Sequence, residues 1–363
     1  MGRSFYLKQD SEVFYRNFLN TLSCCLRKKI HTMTKIPISV LELATVVEGG
    51  NHRTAISNTV KIAQHTESLG YKRFWMAEHH NMEYIASSAT SVLIGHVAGK
   101  TNTIRVGSGG IMLPNHSPLV IAEQFGTLET IYPNRIDLGL GRAPGSDQPT
   151  ALALRRNNID NAQLFPSDVR QLQRYLSIKN QTAKVRAFPG EGLEIPLWIL
   201  GSSTDSAYLA AEMGLPYAFA SHFAPAQFRN AIKIYRDNFK PSAVLEKPYV
   251  MACVNVIAAD TNEEAKSLFN SLLTLFIGIL TNERKPLSPA DSIPESYQIP
   301  EVRNAVNRML ACTFVGSKGT IKNSISEFID ETGIDELMVA SHIFDLDAKL
   351  KSFSILKEAL RVD

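Results

Sequence analysis

The residues that could do chemistry sit where apolar runs end. RIDLGLGRAPG (135–145) alternates Ile136, Leu138 and Leu140 with Asp137 and Gly139, the period of a strand. Gly139, Gly141 and Gly145 lack a Cβ, so a planar ligand or a second backbone could lie against this segment. Arg142 follows, and its fixed fork of N–H donors suits a phosphate or a carboxylate. GSSTDS (201–206) joins another strand to a helix start. There Gly201, Ser202 and Ser203 could offer hydroxyls and backbone N–H groups to a phosphate, or Ser and Thr could simply cap the helix. Gly109–Gly110 ends a third apolar run, which fits either a flat ligand against the backbone or a plain bulge.

RFWMAEHH (73–80) closes on Glu78, His79 and His80. Adjacent strand residues point to opposite sides, so one histidine can face a pocket while the other packs into structure. An imidazole there can take or give a proton near neutral pH. The pair lacks metal-ligand spacing, and two structural histidines are the plain alternative. Glu42 and Glu78 could also serve as a glycosidase-like acid pair, which would leave the phosphate receptor idle.

The elements that must position these groups form one series. Strands are expected at 37–43, 73–80, 103–113, 135–141, 196–203, 216–223, 249–259 and 336–341, each followed by helical periodicity. Helices are expected at 53–69, 87–99, 118–132, 147–178 with a break near Pro166, 204–213, 225–239, 262–280 and 346–360, and 179–195 reads as a hairpin. The strands are nearly continuous apolar runs, as parallel strands covered on both faces should be. Eight such units fit an α/β protein with a (β/α)8 barrel, whose site lies at the carboxyl ends of the strands. Those ends carry Glu42, Glu78, His79, His80, Gly109, Gly110, Arg142, Gly201, Ser202, Ser203, Ser221 and His222. An irregular insertion before the last strand, 281–313, holds Pro286, Pro289, Pro294 and Pro300 and reads as an active-site lid. Trp75 and Trp198 lie inside strands and read as core.

Residues 1–32 read as a poorly ordered extension ahead of a barrel domain spanning 33–363. The basic residues at 27–29 follow the apolar stretch, the reverse of a secretory signal. A net charge of +3, with Lys and Arg spread along the 363 residues, argues against a nucleic-acid surface. Cys24, Cys25, Cys253 and Cys312 form no CxxC pair, so no zinc site or disulfide framework is suggested and a reducing cytoplasm fits. No apolar run of about 18 residues suggests a membrane span.

AEHH, VGSGGIMLPNHSP (106–118), RIDLGLGRAPG, the GSS turn and TGIDELMVASHIFD together resemble the bacterial luciferase-like flavin monooxygenases, over about 37–361. The resemblance implies a TIM barrel that binds reduced FMN supplied by a separate NAD(P)H-dependent flavin reductase. Oxygen would react at the flavin C4a carbon to give a peroxyflavin that oxidises a small organic substrate. It further implies that His79 assists beside the flavin, that Arg142, Ser202 and Ser203 hold the phosphate, and that Gly109–Gly110 forms a non-proline cis peptide beside the ring. A homodimer paired through helices of the second and third units is implied as well. Two departures stand out. Gly141 replaces a reactive cysteine of the light-emitting subunit, and Ala143–Pro144–Gly145 lacks a tyrosine seen there. The superfamily leaves an F420-dependent hydride-transfer enzyme or a non-catalytic flavin-binding protein as alternatives.

Overall fold

In a strand buried on both faces, each second residue points inward and the others outward. The computed structural model, which describes residues 36–143, 147–154, 161–289 and 293–361, has nine parallel strands, all but one of this kind. They are β1 (Ile38–Glu42), β2 (Arg73–Met76), β3 (Arg105–Met112), β4 (Ile136–Gly141), β5 (Leu197–Gly201), β6 (Tyr217–Phe219), β7 (Val250–Ala259), β8 (Thr313–Ser317) and β9 (Glu336–Ala340). β1 to β7 pair in sequence, and β9 closes the ring between β7 and β1, with Asn255 opposite Ala340 and Val40 opposite Val339. The result is an eight-stranded (β/α)8 TIM barrel. The expected extension at 1–32 and Gly145 lie outside the described residues.

The two faces sort cleanly. Val40, Phe74, Val106, Leu138, Ile199 and Val254 join the core between strands and helices. Leu41, Trp75, Trp198, Met251 and Met338 fill the barrel itself. The rings of Trp75 and Trp198 meet edge to face at 5.2 Å, so both tryptophans are core, as expected.

The outer layer is α1 (His52–Ser68), α2 (Thr90–Ala98), α3 (Pro118–Ile131), α4 (Gln148–Leu154), α5 (Asn161–Leu176), α6 (Thr204–Met213), α7 (Phe228–Asn238), α8 (Asn262–Thr281), α9 (Pro300–Met309), α10 (Lys318–Thr332) and α11 (Leu346–Ala359). Asn51 caps α1 by accepting from Thr54 N at 3.0 Å. Gly70 and Gly214 follow α1 and α6 at φ +72° and +61°, a conformation that favours glycine.

Three local expectations differ from the structure. The 179–195 segment is no hairpin: a 3-10 turn at Ile178–Thr182 is followed by bends, and strand pairing is absent among these residues. Pro166 lies inside α5, so the helix does not break there. The segment read as irregular is partly regular. It contains α9 and leads into β8, which pairs with the second half of β7, Asn255–Ala259, outside the closed ring. β8 is only half-buried and includes Gly316, so it lacks the apolar run that marked the others. Between α8 and α9, Leu287 is buried and pinned to the loop after β1 by backbone bonds with Val46 and Glu48.

Candidate active site

The barrel interior carries polar groups at its two ends, and the carboxyl end holds the residues singled out from the sequence. Counting inward positions in steps of two from Ala77, Cys253 and Ala340 reaches His79, Asn255 and His342, and His222, in the turn after β6, feels the charges of His79 and His342. Two outward strand-end positions, Glu42 and Glu78, are held by charged or titratable partners. Glu42 takes Lys349 Nζ at 2.7 Å and the Ala44 N–H at 3.0 Å. Glu78 accepts from His80 Nε2 at 2.9 Å, from His116 Nε2 at 2.9 and 3.0 Å, and from Met112 N at 3.2 Å. Both carboxylates are thus engaged in separate outward clusters, which removes the support for a glycosidase-like pair. Glu78, His80 and His116 bring three metal-ligating groups within 4.8 Å of one another. The hydrogen bonds among them account for that convergence.

His79 divides from His80 as alternation requires: His80 turns outward to Glu78 and His79 turns inward. The Nδ1 of His79 is buried and has no hydrogen-bond partner among the described residues. Burial pushes its pKa below the ordinary histidine value; Glu78 opposes this, and the charges of His80 and Arg284 reinforce it. His79 is therefore a neutral imidazole at physiological pH, able to accept a proton or to donate a hydrogen bond.

The Gly109–Gly110 bond is cis, as the resemblance implies. The glycines around it answer to a second backbone. A Cβ on Gly110 would lie 2.8 Å from the Gly139 carbonyl oxygen, and one on Gly139 would lie 2.3 Å from that of Ser108. A Cβ on Gly109 would press on Leu41 at 2.7 Å. Close packing of β3 on β4 thus explains Gly110 and Gly139, while the side chains of Leu41 and Trp75 explain Gly109.

Arg142 stands at the end of β4, where its Nη1 lies 3.0 Å from Asp205 Oδ2 in the first turn of α6. That pair places the guanidinium at the helix N-terminus. Ser203 is the N-cap residue but makes no side-chain capping bond, so the ordinary capping role is not realised there. Thr204 N donates to Gln227 Oε1 at 3.2 Å. Gly201 is required by packing, since a Cβ would fall 1.8 Å from Ser206 Oγ. An exposed arginine–aspartate pair contributes about 0–1 kcal/mol, so an incoming anion can displace the carboxylate at small cost. Arginine, a helix start at which Ser203 makes no capping bond, and the hydroxyls of Ser202 and Ser203 fit a phosphate.

Residues 37–336 match the profile of the luciferase-like monooxygenases. The chain belongs to this family. A luciferase-like monooxygenase of Escherichia coli K12 is 50% identical over 320 residues, covering 88% of this chain and 96% of its own. Among solved structures, apo-MsnO8 superposes with a TM-score of 0.82 at 34% identity, over 89% of this chain and 98% of that one. The oxygenating constituent of 3,6-diketocamphane monooxygenase from Pseudomonas putida, solved with FMN, shares the fold at TM-score 0.66 and 18% identity, over 90% and 97% of the two chains. Membership in the luciferase-like monooxygenases makes this chain an oxidoreductase with flavin-using structural neighbours.

Asp205, His116, Asn255, Ser341 and His342 carried no role from the sequence, and His222 stood at a strand end without one. Two-residue counting from the inward strand positions would have found Asn255 and His342. Nothing in the sequence signals that Asp205 meets Arg142.

Proposed function

We propose that this luciferase-like monooxygenase uses reduced FMN and O2 to oxidise a small organic substrate, with a separate NAD(P)H-dependent reductase supplying the flavin. The observation that carries the reading is Arg142 held at the start of α6, where Ser203 makes no capping bond, on the rim of a mouth that also holds the neutral His79. Arg142 and the first-turn N–H groups of α6 would take the phosphate, aided by Gly201, Ser202 and Ser203. Gly109 and Gly110 would give the ring a flat wall. When bound, the reduced flavin supplies electrons to oxygen at its C4a carbon. His79 would hold or accept a proton beside that position, with no charge of its own to quench.

Residues 281–313 would act as a lid that excludes water, hinged on the anchored Leu287. A homodimer paired through α2 and α3 would follow the family resemblance. A cytoplasmic setting, with a reductase and NAD(P)H at hand, completes the proposal; no helix among the described residues is long and apolar enough to cross a membrane. Titration with FMN of the wild type and of Arg142→Ala tests the site. Equal affinity would remove Arg142 from it, and preference for reduced F420 would move the protein to hydride transfer.

A further inference from the structure

Hydrogen bonds gather Glu78, His80 and His116 on the outer side of the mouth, and what they gather is one carboxylate and two aromatic nitrogens. His80 follows Glu78 by two residues and brings its Nε2 to 2.9 Å from Glu78 Oε1. His116 follows the 3-10 turn Leu113–Asn115 after β3, and its Nε2 reaches the same oxygen at 2.9 Å. Met112 N donates to Glu78 Oε2 at 3.2 Å, which fixes the carboxylate against the end of β3. The three ligand atoms all lie within 4.8 Å of one another.

Charge and spacing both ask for more than these hydrogen bonds supply. Buried Glu42 has Lys349 at 2.7 Å, and buried Asp137 and Glu336 share Arg73. Glu78 is 1% exposed, and its ion-pair partners among the described residues are the two histidines, with no lysine or arginine. A buried carboxylate without a fixed cation is costly, and a divalent ion would meet its charge. The oxygen–nitrogen separations of 2.9 Å are those of neighbouring ligands at right angles around a metal at about 2.0–2.1 Å. The side chains of His80 and His116 are 16% and 25% exposed, so their rings can turn to close the gap between the two nitrogens. Water can reach the open coordination positions from the same side.

We infer that Glu78, His80 and His116 form a site for a divalent transition-metal ion such as Zn2+, with water completing the coordination. Two imidazoles and one carboxylate favour zinc, cobalt or nickel over magnesium and calcium, which take oxygen ligands. Each imidazole would bind through Nε2 as its Nδ1–H tautomer, so the metal takes the place of the Nε2 protons. The ion would react with nothing. It would clasp the end of β2 to the turn after β3, the strands that lead to His79 and carry Gly109–Gly110. The site needs neither FMN nor substrate and stands apart from the flavin reading.

The full chain is treated with EDTA, exchanged into chelator-free buffer and titrated with Zn2+ against a chromophoric chelator. The wild type should take up one equivalent, ignore Mg2+, and melt at a higher temperature with zinc than without. His80→Ala and His116→Ala should each weaken zinc at least about tenfold, with circular dichroism unchanged. His96→Ala, on the exposed side of α2, should leave zinc affinity within about twofold. X-ray absorption at the zinc edge of the wild type keeps the test valid where a substitution disturbs the fold. Its expected first shell is two imidazoles with oxygen at about 2.0–2.2 Å. A shell containing sulfur would place the ion on cysteine and overturn the site. So would no zinc uptake by the wild type, or equal zinc affinity in the wild type and His116→Ala. Zinc bound as expected by a chain that binds no FMN would uphold the site and count against the flavin reading alone.

Discussion

The two ends of one barrel hold their polar groups in opposite ways. At the amino-terminal end Arg73 bridges Asp137 at 2.7 Å and Glu336 at 3.0 Å, while Arg105 takes the other Asp137 oxygen at 2.8 Å. Trp75 Nε1 donates to Asp137 at 3.1 Å, and Ser39 and Tyr249 both donate to Glu336. Burial alone would weaken the charge on Arg73, yet Asp137 and Glu336 more than offset it and raise its pKa. At the carboxyl-terminal mouth the outward carboxylates are paired, but inside the barrel His79 Nδ1, His222 Nδ1 and Asn255 Oδ1 are buried without partners among the described residues. A satisfied network stabilises the fold; an unsatisfied one is poised for a ligand.

Substitutions at the two ends should therefore separate stability from function. Asp137→Ala strands Arg73 and Arg105 in the interior and should cost about 3–5 kcal/mol in urea unfolding. A loss below about 1 kcal/mol would mean the network is incidental. His79→Ala should leave FMN affinity and stability nearly intact while turnover falls about a hundredfold. Unchanged turnover would make that histidine structural. Arg142→Ala should weaken FMN about tenfold or more, with the urea midpoint unmoved, since its only charge partner among the described residues is the exposed Asp205.

The mouth should also show itself in acid. His222 and His342 have folded pKa values of about 3, far below the unfolded value of about 6.5. Below about 6.5 the unfolded chain binds protons that the folded chain refuses, so stability is full above that pH and declines as pH falls toward 3. His79, His342 and Lys349 are the charged or titratable neighbours that sharpen the effect. Between about pH 6.5 and 5, most carboxylates stay ionised, and the loss belongs to the histidines. His342→Gln should lose less stability over that window than the wild type, measured by urea unfolding at both ends. Equal losses would mean His342 is solvated. The smallest effect is expected at the lid: flavin and substrate together should slow proteolysis within 281–313, and equal cleavage rates would leave it a plain surface segment.

The order of strands and helices was legible because parallel strands are apolar runs and the helices keep their period. β8 was not, since a half-buried strand containing Gly316 has no such run. Arg142, His79 and the GSS turn were legible as residue types at strand ends. The polar pairings were not: Arg142 meets Asp205 with no signal for it, Ser39 and Glu336 meet across 297 residues of sequence, and Asn255 is a single amide inside the apolar run of β7. The glycines of β3 and β4 were read as a ligand wall or a backbone contact, and the packing of β3 on β4 satisfies the second.

Anaerobic titration of the full chain with reduced FMN, and separately with reduced F420, followed by admission of oxygen, tests the central claim most directly. Saturable binding of reduced FMN, weakened in Arg142→Ala and followed by flavin reoxidation at a rate the protein alters, is the predicted result. Binding of F420 alone, or of neither, would contradict it.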